Sequence, residues 1–206
     1  MKSEKGTFTM TKNIEIEYKN LLSEATYNRL FQAFAFDQTP ALTQTNIYFD
    51  TEDGKLRNQQ IGLRVRITDT YVHLTMKQPV ANHQKLETTD KLTSADAEVI
   101  ATTGKLTNGP EIAKILAEFD IALSDLVVIG QFKTVRHQQS IQGHTMVLDH
   151  CYFSQFEDFE LEVESHDAAS GQAFFQEILQ KYNIPQQIVK QKIRRMSQSA
   201  SDPIVA

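Results

Sequence analysis

At 206 residues, 40% hydrophobic and 23% charged, with only 8 Gly and 5 Pro, the chain has the composition of one ordinary globular domain that can bury a substantial core. A net charge of −5 argues against a surface that binds nucleic acid as a whole, and the absence of any apolar run near 20 residues argues against a membrane helix. One cysteine, Cys151, permits no internal disulfide; with no signal-peptide pattern in "MKSEKGTFTMTK", this suits a reducing, cytoplasmic setting.

Nothing periodic begins before Lys12, so residues 1–11 are expected to be a disordered start. From Asn13 to Lys19, "NIEIEYK" alternates Ile14, Ile16 and Tyr18 with Glu15, Glu17 and Lys19, as a strand with two unlike faces. A helix is expected over Ser23–Phe36, capped by Ser23, with Tyr27, Leu30, Phe31 and Phe34 on one side. Strands follow at 43–50, 61–68, 71–78 and 83–89, with "TEDGKLRNQQ" read as a linker. A helical insert over about 93–119 comes in two pieces, the first announced by Thr93 and Asp96 at capping-box spacing and the second carrying Ile112, Ile115, Leu116 and Phe119. Strands resume at 126–139, 141–151 and 157–165, with "SIQG" turning the first hairpin. The chain closes with a helix at 168–182 and a basic segment at 188–196, leaving 199–206 as a tail. Strands that neighbour one another in sequence favour an antiparallel sheet, and the class is α+β.

Charged alternation recurs on strand after strand. Arg64 and Arg66 oppose Leu63, Val65 and Ile67; His73, Thr75 and Lys77 oppose Val72, Leu74 and Met76; Glu160, Glu162 and Glu164 oppose Phe159, Leu161 and Val163. Arg136 shares a face with Phe132 and Thr134, and Asp149 with Val147 and Cys151. Two geometries accommodate this. The charges form a solvated outer skin over an apolar sandwich, or the sheet closes into a barrel with the charges inside and amphipathic helices over its apolar exterior. Burying such a set without a ligand is expensive. A polyanion with divalent cations would offset the cost, since arginine and lysine match phosphate oxygens and carboxylates match hard cations.

These residues resemble a known family. "EIEYK" is similar to the ExExK signature of the CYTH family, also called triphosphate tunnel metalloenzymes, which includes class IV adenylate cyclases, thiamine triphosphatases and inorganic triphosphatases. "YFDT", "LRNQQIGLRVR", "LTMK", "KLE", "KTVR", "LDHCYF", "FELEVE" and "KIRRM" follow in the family's order, over about 12–196. The resemblance implies a single domain over 12–198, a closed eight-stranded antiparallel barrel with a charged lumen. It also implies that Glu15, Glu17, Asp149, Glu160 and Glu162 hold Mg²⁺ or Mn²⁺, with Glu164 continuing their face and Glu87 a further lumen acid. Lys19, Arg64, Arg66, Lys77, Arg136 and Lys192 would hold the phosphates, Lys192 from a C-terminal helix that closes over the tunnel, joined there by Arg195. Lys19 and Glu17 are the expected catalytic pair.

The chemistry implied is metal-dependent hydrolysis of a triphosphate small molecule. Cyclization of ATP to cyclic AMP uses the same grip, and a non-catalytic triphosphate or polyphosphate sensor, presenting the insert at 93–119 to a partner, needs no turnover. No nucleic-acid or membrane partner is expected, and a homodimer is compatible with the composition. Gly104-Lys105 lacks the frame of a phosphate-binding glycine loop, the six histidines show no zinc spacing, and Cys151 lacks a partner base.

Overall fold

The computed structural model describes residues 11–81 and 83–199. Its strands are β1 (Thr11–Leu22), β2 (Leu42–Thr51), β3 (Gly62–Ile67), β4 (Val72–Ala81), β5 (Gln84–Leu92), β6 (Leu126–Ile141), β7 (His144–Tyr152) and β8 (Glu157–Ser165). They close into a barrel in the order β1-β5-β4-β3-β2-β6-β7-β8, and each pairing is antiparallel. The helices are α1 (Glu24–Ala33), α2 (Lys55–Asn58), α3 (Ser94–Thr103), α4 (Pro110–Ala117), α5 (Ala168–Lys181) and α6 (Lys192–Ser199). The expected tails lie outside the described residues, apart from Thr11, which opens β1, and Ser199, which ends α6. No described helix is long and apolar enough to cross a membrane.

Closure resolves the two-faced strands in favour of the barrel. The hydrocarbon faces point outward into two cores. In one, Tyr27 and Leu30 of α1 and Phe174, Phe175, Ile178 and Leu179 of α5 cover Ile16, Tyr18, Leu148, Leu161 and Val163. In the other, Leu56 of α2, Ile100 of α3, and Ile112 and Leu116 of α4 cover Phe49, Leu63, Val65, Leu74 and Met76. Leu30, Leu63, Leu74, Leu148 and Leu161 have no exposed surface, and each contributes about 1.5–3 kcal/mol by leaving water. The insert therefore spends its apolar face on the barrel wall. Ile14 departs from this arrangement: it points outward but lies uncovered, 52% exposed, because the cross-strand pair it makes with Leu86 is not among the residues that α1 and α5 cover.

Two buried aspartates anchor the helices to the strands. The carboxylate of Asp50 accepts from the backbone N–H of Leu56 (2.9 Å) and Arg57 (3.0 Å), and so fixes the start of α2 within what the sequence presents as a linker. Asp90 does the same for α4, accepting from Glu111 (3.1 Å) and Ile112 (2.9 Å). The first helix is shorter than its apolar spacing suggests: it stops at Ala33, and Ala35 adopts a left-handed backbone at φ 51°. Between β6 and β7, Gln142 (φ 51°) and Gly143 (φ 82°) both take positive φ, the geometry of a two-residue hairpin turn.

A third, smaller apolar group lies between the barrel and α6. Tyr48, Phe132 and Cys151 on the strands, with Phe153, meet Met196 of α6. Gly130 makes this approach feasible, since a Cβ there would stand 2.6 Å from Met196 Cε. One end of the lumen is thus packed against the C-terminal helix.

Candidate active site

The faces turned inward by closure carry the charges, around a cavity of about 300 Å³. Alternation places Glu15, Glu17 and Lys19 of β1, Arg64 and Arg66 of β3, and Lys77 of β4 along its wall. Arg136 of β6, Glu162 and Glu164 of β8, and Lys192 of α6 complete it, and Asp149 and Glu160 stand fully buried behind them. The antiparallel register sets opposite charges side by side: Arg136 is the direct neighbour of Asp149, Lys19 of Glu162, and Lys77 of Glu87.

On the wall made by β6, β7 and β8, pairing is dense. The Arg136 guanidinium donates to both oxygens of Asp149 (Nε 2.8 Å, Nη2 2.6 Å) and to Glu162 (2.6 Å). The Lys192 ammonium sits among three carboxylates, 2.7 Å from Asp149, 3.1 Å from Glu160 and 2.5 Å from Glu162. Arg195 binds Glu160 and Asp158. On β1, Lys19 donates to Glu17 at 2.7 Å and lies 3.6 Å from both Glu160 and Glu162. Lys77 bridges Glu15 (2.6 Å) and Glu87 (2.5 Å).

The arginines of β3 are placed differently. Among the described residues neither Arg64 nor Arg66 forms an ion pair. Arg66 Nε donates to Asn46 Oδ1 at 3.0 Å, and the buried Arg64 Nε has no protein partner. Burial, with Arg64 and Arg136 close by, lowers the Arg66 guanidinium to about 10. A cation held so far below its usual range signals a site short of negative charge.

The carboxylates show the converse. Burial drives Glu15 and Glu160 above the ordinary carboxylate range in spite of Lys77 and Lys192. Burial, with Glu162, Glu15 and Glu17 nearby, brings Glu164 up to about 7 against the pull of Arg136. Glu17, Asp149 and Glu162 are also buried, yet Lys19, Arg136 and Lys192 respectively lead the cations that hold them below that range.

All the residues singled out in the sequence reach the lumen network, but the five acids expected at metal do not form one cluster. Asp149, Glu160 and Glu162 converge on Lys192, Glu17 lies with Lys19, and Glu15 stands apart on Lys77. Among the described residues, no three acidic, histidine or cysteine side chains are spaced to hold an ion as they stand. The donor set nevertheless fits a hard divalent cation. Its members offer carboxylate oxygen alone, and three of them already surround one positive charge. Lys85 is a lumen cation not singled out in the sequence. It lines the cavity 3.9 Å from Glu17, and its signal was available, two positions before Glu87 and on the same face.

The CYTH domain family model matches residues 13–197. The chain belongs to the CYTH family. It is 32% identical over 187 residues to "Putative triphosphatase YjbK" of Bacillus subtilis (strain 168), an alignment spanning 90% of this chain and 95% of that protein. The crystal structure of a "putative adenylate cyclase" from Bacillus halodurans superposes with a TM-score of 0.83 at 33% identity, over 89% of this chain and 97% of the other. HpAC1 from Hippeastrum, described as revealing a dominant triphosphatase activity, shares the fold at 21% identity and a TM-score of 0.74, over 90% and 95%. The closed eight-stranded barrel is thus that of a CYTH domain.

Proposed function

We propose that this CYTH protein hydrolyses the terminal phosphoanhydride of a triphosphate inside the tunnel, with a divalent cation, Mg²⁺ or Mn²⁺. The observation that carries this reading is the arginine pair: Arg64 and Arg66 lie side by side on the cavity wall without a carboxylate partner, among lumen cations that otherwise have one. A polyanion with charge on successive phosphates supplies what they lack.

Arg64 and Arg66 bind the phosphate chain, and Lys77, Arg136, Lys19 and Lys192 flank it from β4, β6, β1 and α6. Glu15, Glu17, Asp149, Glu160 and Glu162 would hold the cation, which when bound neutralises charge that develops on the phosphate oxygens and lowers the pKa of a bound water. Lys19 fixes the Glu17 carboxylate at 2.7 Å in its ionised form, so that this pair presents a defined anion and cation to the reacting phosphate. Water attacks the terminal phosphorus, the bridging P–O bond breaks, and phosphate and the diphosphate leave. The buried Cys151, whose thiol burial raises to about 12, takes no part, and with it as the chain's one cysteine we place the protein in the cytoplasm.

The test is release of phosphate, pyrophosphate and cyclic AMP from tripolyphosphate, ATP and thiamine triphosphate, with Mg²⁺, Mn²⁺ or chelator. Phosphate release that stops with chelator is the expected result. Cyclic AMP with pyrophosphate would establish the cyclase reading, and tight binding with no product would establish a sensor. Glu17→Gln is expected to abolish metal-dependent turnover while circular dichroism stays unchanged; near-normal turnover in that variant counts against the assigned pair.

A further inference from the structure

Tyr71, immediately before β4, and His73, within it, stack with ring centroids 4.4 Å apart and planes 29° from parallel. Both line the cavity that holds Arg64 and Arg66, and His73 is the direct cross-strand partner of Arg66. Neither ring belongs to any of the three apolar cores, and both remain half-buried, whereas Tyr48 on the same cavity is committed to packing on Phe132 and Met196. The backbone beneath them is fixed: the Thr68 N–H and hydroxyl both donate to the Tyr71 carbonyl at 3.0 Å, and the Tyr71 N–H donates to Thr68 Oγ1 at 3.0 Å. Burial, with Lys91, Arg66 and Arg64 nearby, holds the His73 imidazole below its ordinary range. A stacked pair of rings outside the apolar cores, beside two arginines without an ion pair among the described residues, is left to the cavity.

From this we infer that Tyr71 and His73 form a stacking subsite for an aromatic ring carried on the triphosphate, so that the tunnel takes aromatic organic triphosphates with an advantage that ring-free tripolyphosphate lacks. The inference rests on the proposed triphosphatase reading and adds the substrate class to it. An aromatic face accepts purine, pyrimidine and thiazolium rings alike, because each presents a π-surface.

The experiment is steady-state hydrolysis by the full chain and its Tyr71→Ala, His73→Ala and Tyr71→Phe variants, with ATP and thiamine triphosphate as ring-bearing substrates and tripolyphosphate as the ring-free control. Tyr71→Ala is expected to raise KM for a ring-bearing substrate by about 10- to 100-fold, as loss of one stacked base does elsewhere. KM for tripolyphosphate should shift by less than about twofold, and Tyr71→Phe should behave as the parent. Because the turn is held through the Tyr71 backbone, the substitution leaves those bonds in place, and His73→Ala gives a second reading if Tyr71→Ala melts early. A loss confined to ATP or to thiamine triphosphate supports the subsite and identifies the ring. Equal losses with tripolyphosphate, or none with either ring-bearing substrate, overturn it; so does tripolyphosphate turnover without any ATP or thiamine triphosphate turnover, which leaves the triphosphatase reading standing. If the parent releases no product from any of the three, that reading fails, and calorimetric Kd values for the same ligands and variants decide the subsite by the same ratio.

Discussion

Arg136 on β6 and Arg66 on β3 face one cavity from two walls, and their surroundings are opposite. Arg136 is clasped by Asp149 and Glu162 and held well above the usual guanidinium range by them in spite of its burial. Arg66 has an amide for a partner and two arginines for neighbours, and burial and those charges lower it. The first arrangement has its counter-charge within the protein; the second has no carboxylate within ion-pairing distance among the described residues. Arg136 is buried and Arg66 half-buried, yet what sets their surroundings apart is the counter-charge.

Removing a charge from each wall should therefore have different consequences. Asp149→Asn strips Arg136 and Lys192 of a shared partner in a fully buried position, and is expected to cost about 3–5 kcal/mol of stability in a denaturant titration. Arg66→Ala removes a cation from like-charged neighbours, so its unfolding midpoint should be unchanged or higher, while triphosphate turnover falls about 100- to 1000-fold. If Arg66→Ala melted early and Asp149→Asn did not, the two walls would have been assigned the wrong way round.

Lys192 tests where the walls meet the metal. Lys192→Met keeps the length of the side chain and leaves Asp149, Glu160 and Glu162 without the ammonium they share, at an expected cost of about 1–3 kcal/mol. Those three carboxylates then form a more open cation site. Added Mn²⁺ should accordingly raise the melting temperature of Lys192→Met by more than that of the parent, as a ligand bound only by the folded state does. Equal shifts would place the cation elsewhere in the lumen.

Much of this was open to a reading of the sequence, because closure keeps the strand period. Every residue from Glu15 to Glu164 that alternation put on the charged side is on the inner side, and the helices with apolar stripes cover the outer one. What was hidden depends on register and on distant partners. That Arg136 meets Asp149 follows from the pairing of β6 with β7, and that Arg64 and Arg66 go without an anion follows from the neutral Asn46 and Thr75 opposite them. Asp50 and Asp90 read as ordinary strand-end acids until the helix starts they cap are in place, and the brief α2 has too few residues to show a period. Ile14 shows a related limit: alternation gives the face a side chain points to, but not whether a helix comes to cover it.

Glu164 offers the finest distinction, since it lies at the edge of the paired wall, with Arg136 Nη1 3.6 Å away and already committed to Asp149 and Glu162. Its carboxyl titrates near 7 in the fold, against an ordinary value of 4.5. Below 4.5 it is neutral in both folded and unfolded chains and adds no pH dependence. Between 4.5 and 7 the unfolded chain ionises more readily, so stability is lost as pH rises through this window and levels off above it. Glu164→Gln has no proton to lose there. Its melting temperature should therefore match the parent's near pH 4.5 and exceed it by pH 8, by less than about 1 kcal/mol in stability because a third of the side chain is exposed and screened. A gap that closed with rising pH would mean that Arg136 serves Glu164 as fully as it serves Asp149, and that the paired wall carries no surplus of negative charge for a metal to offset.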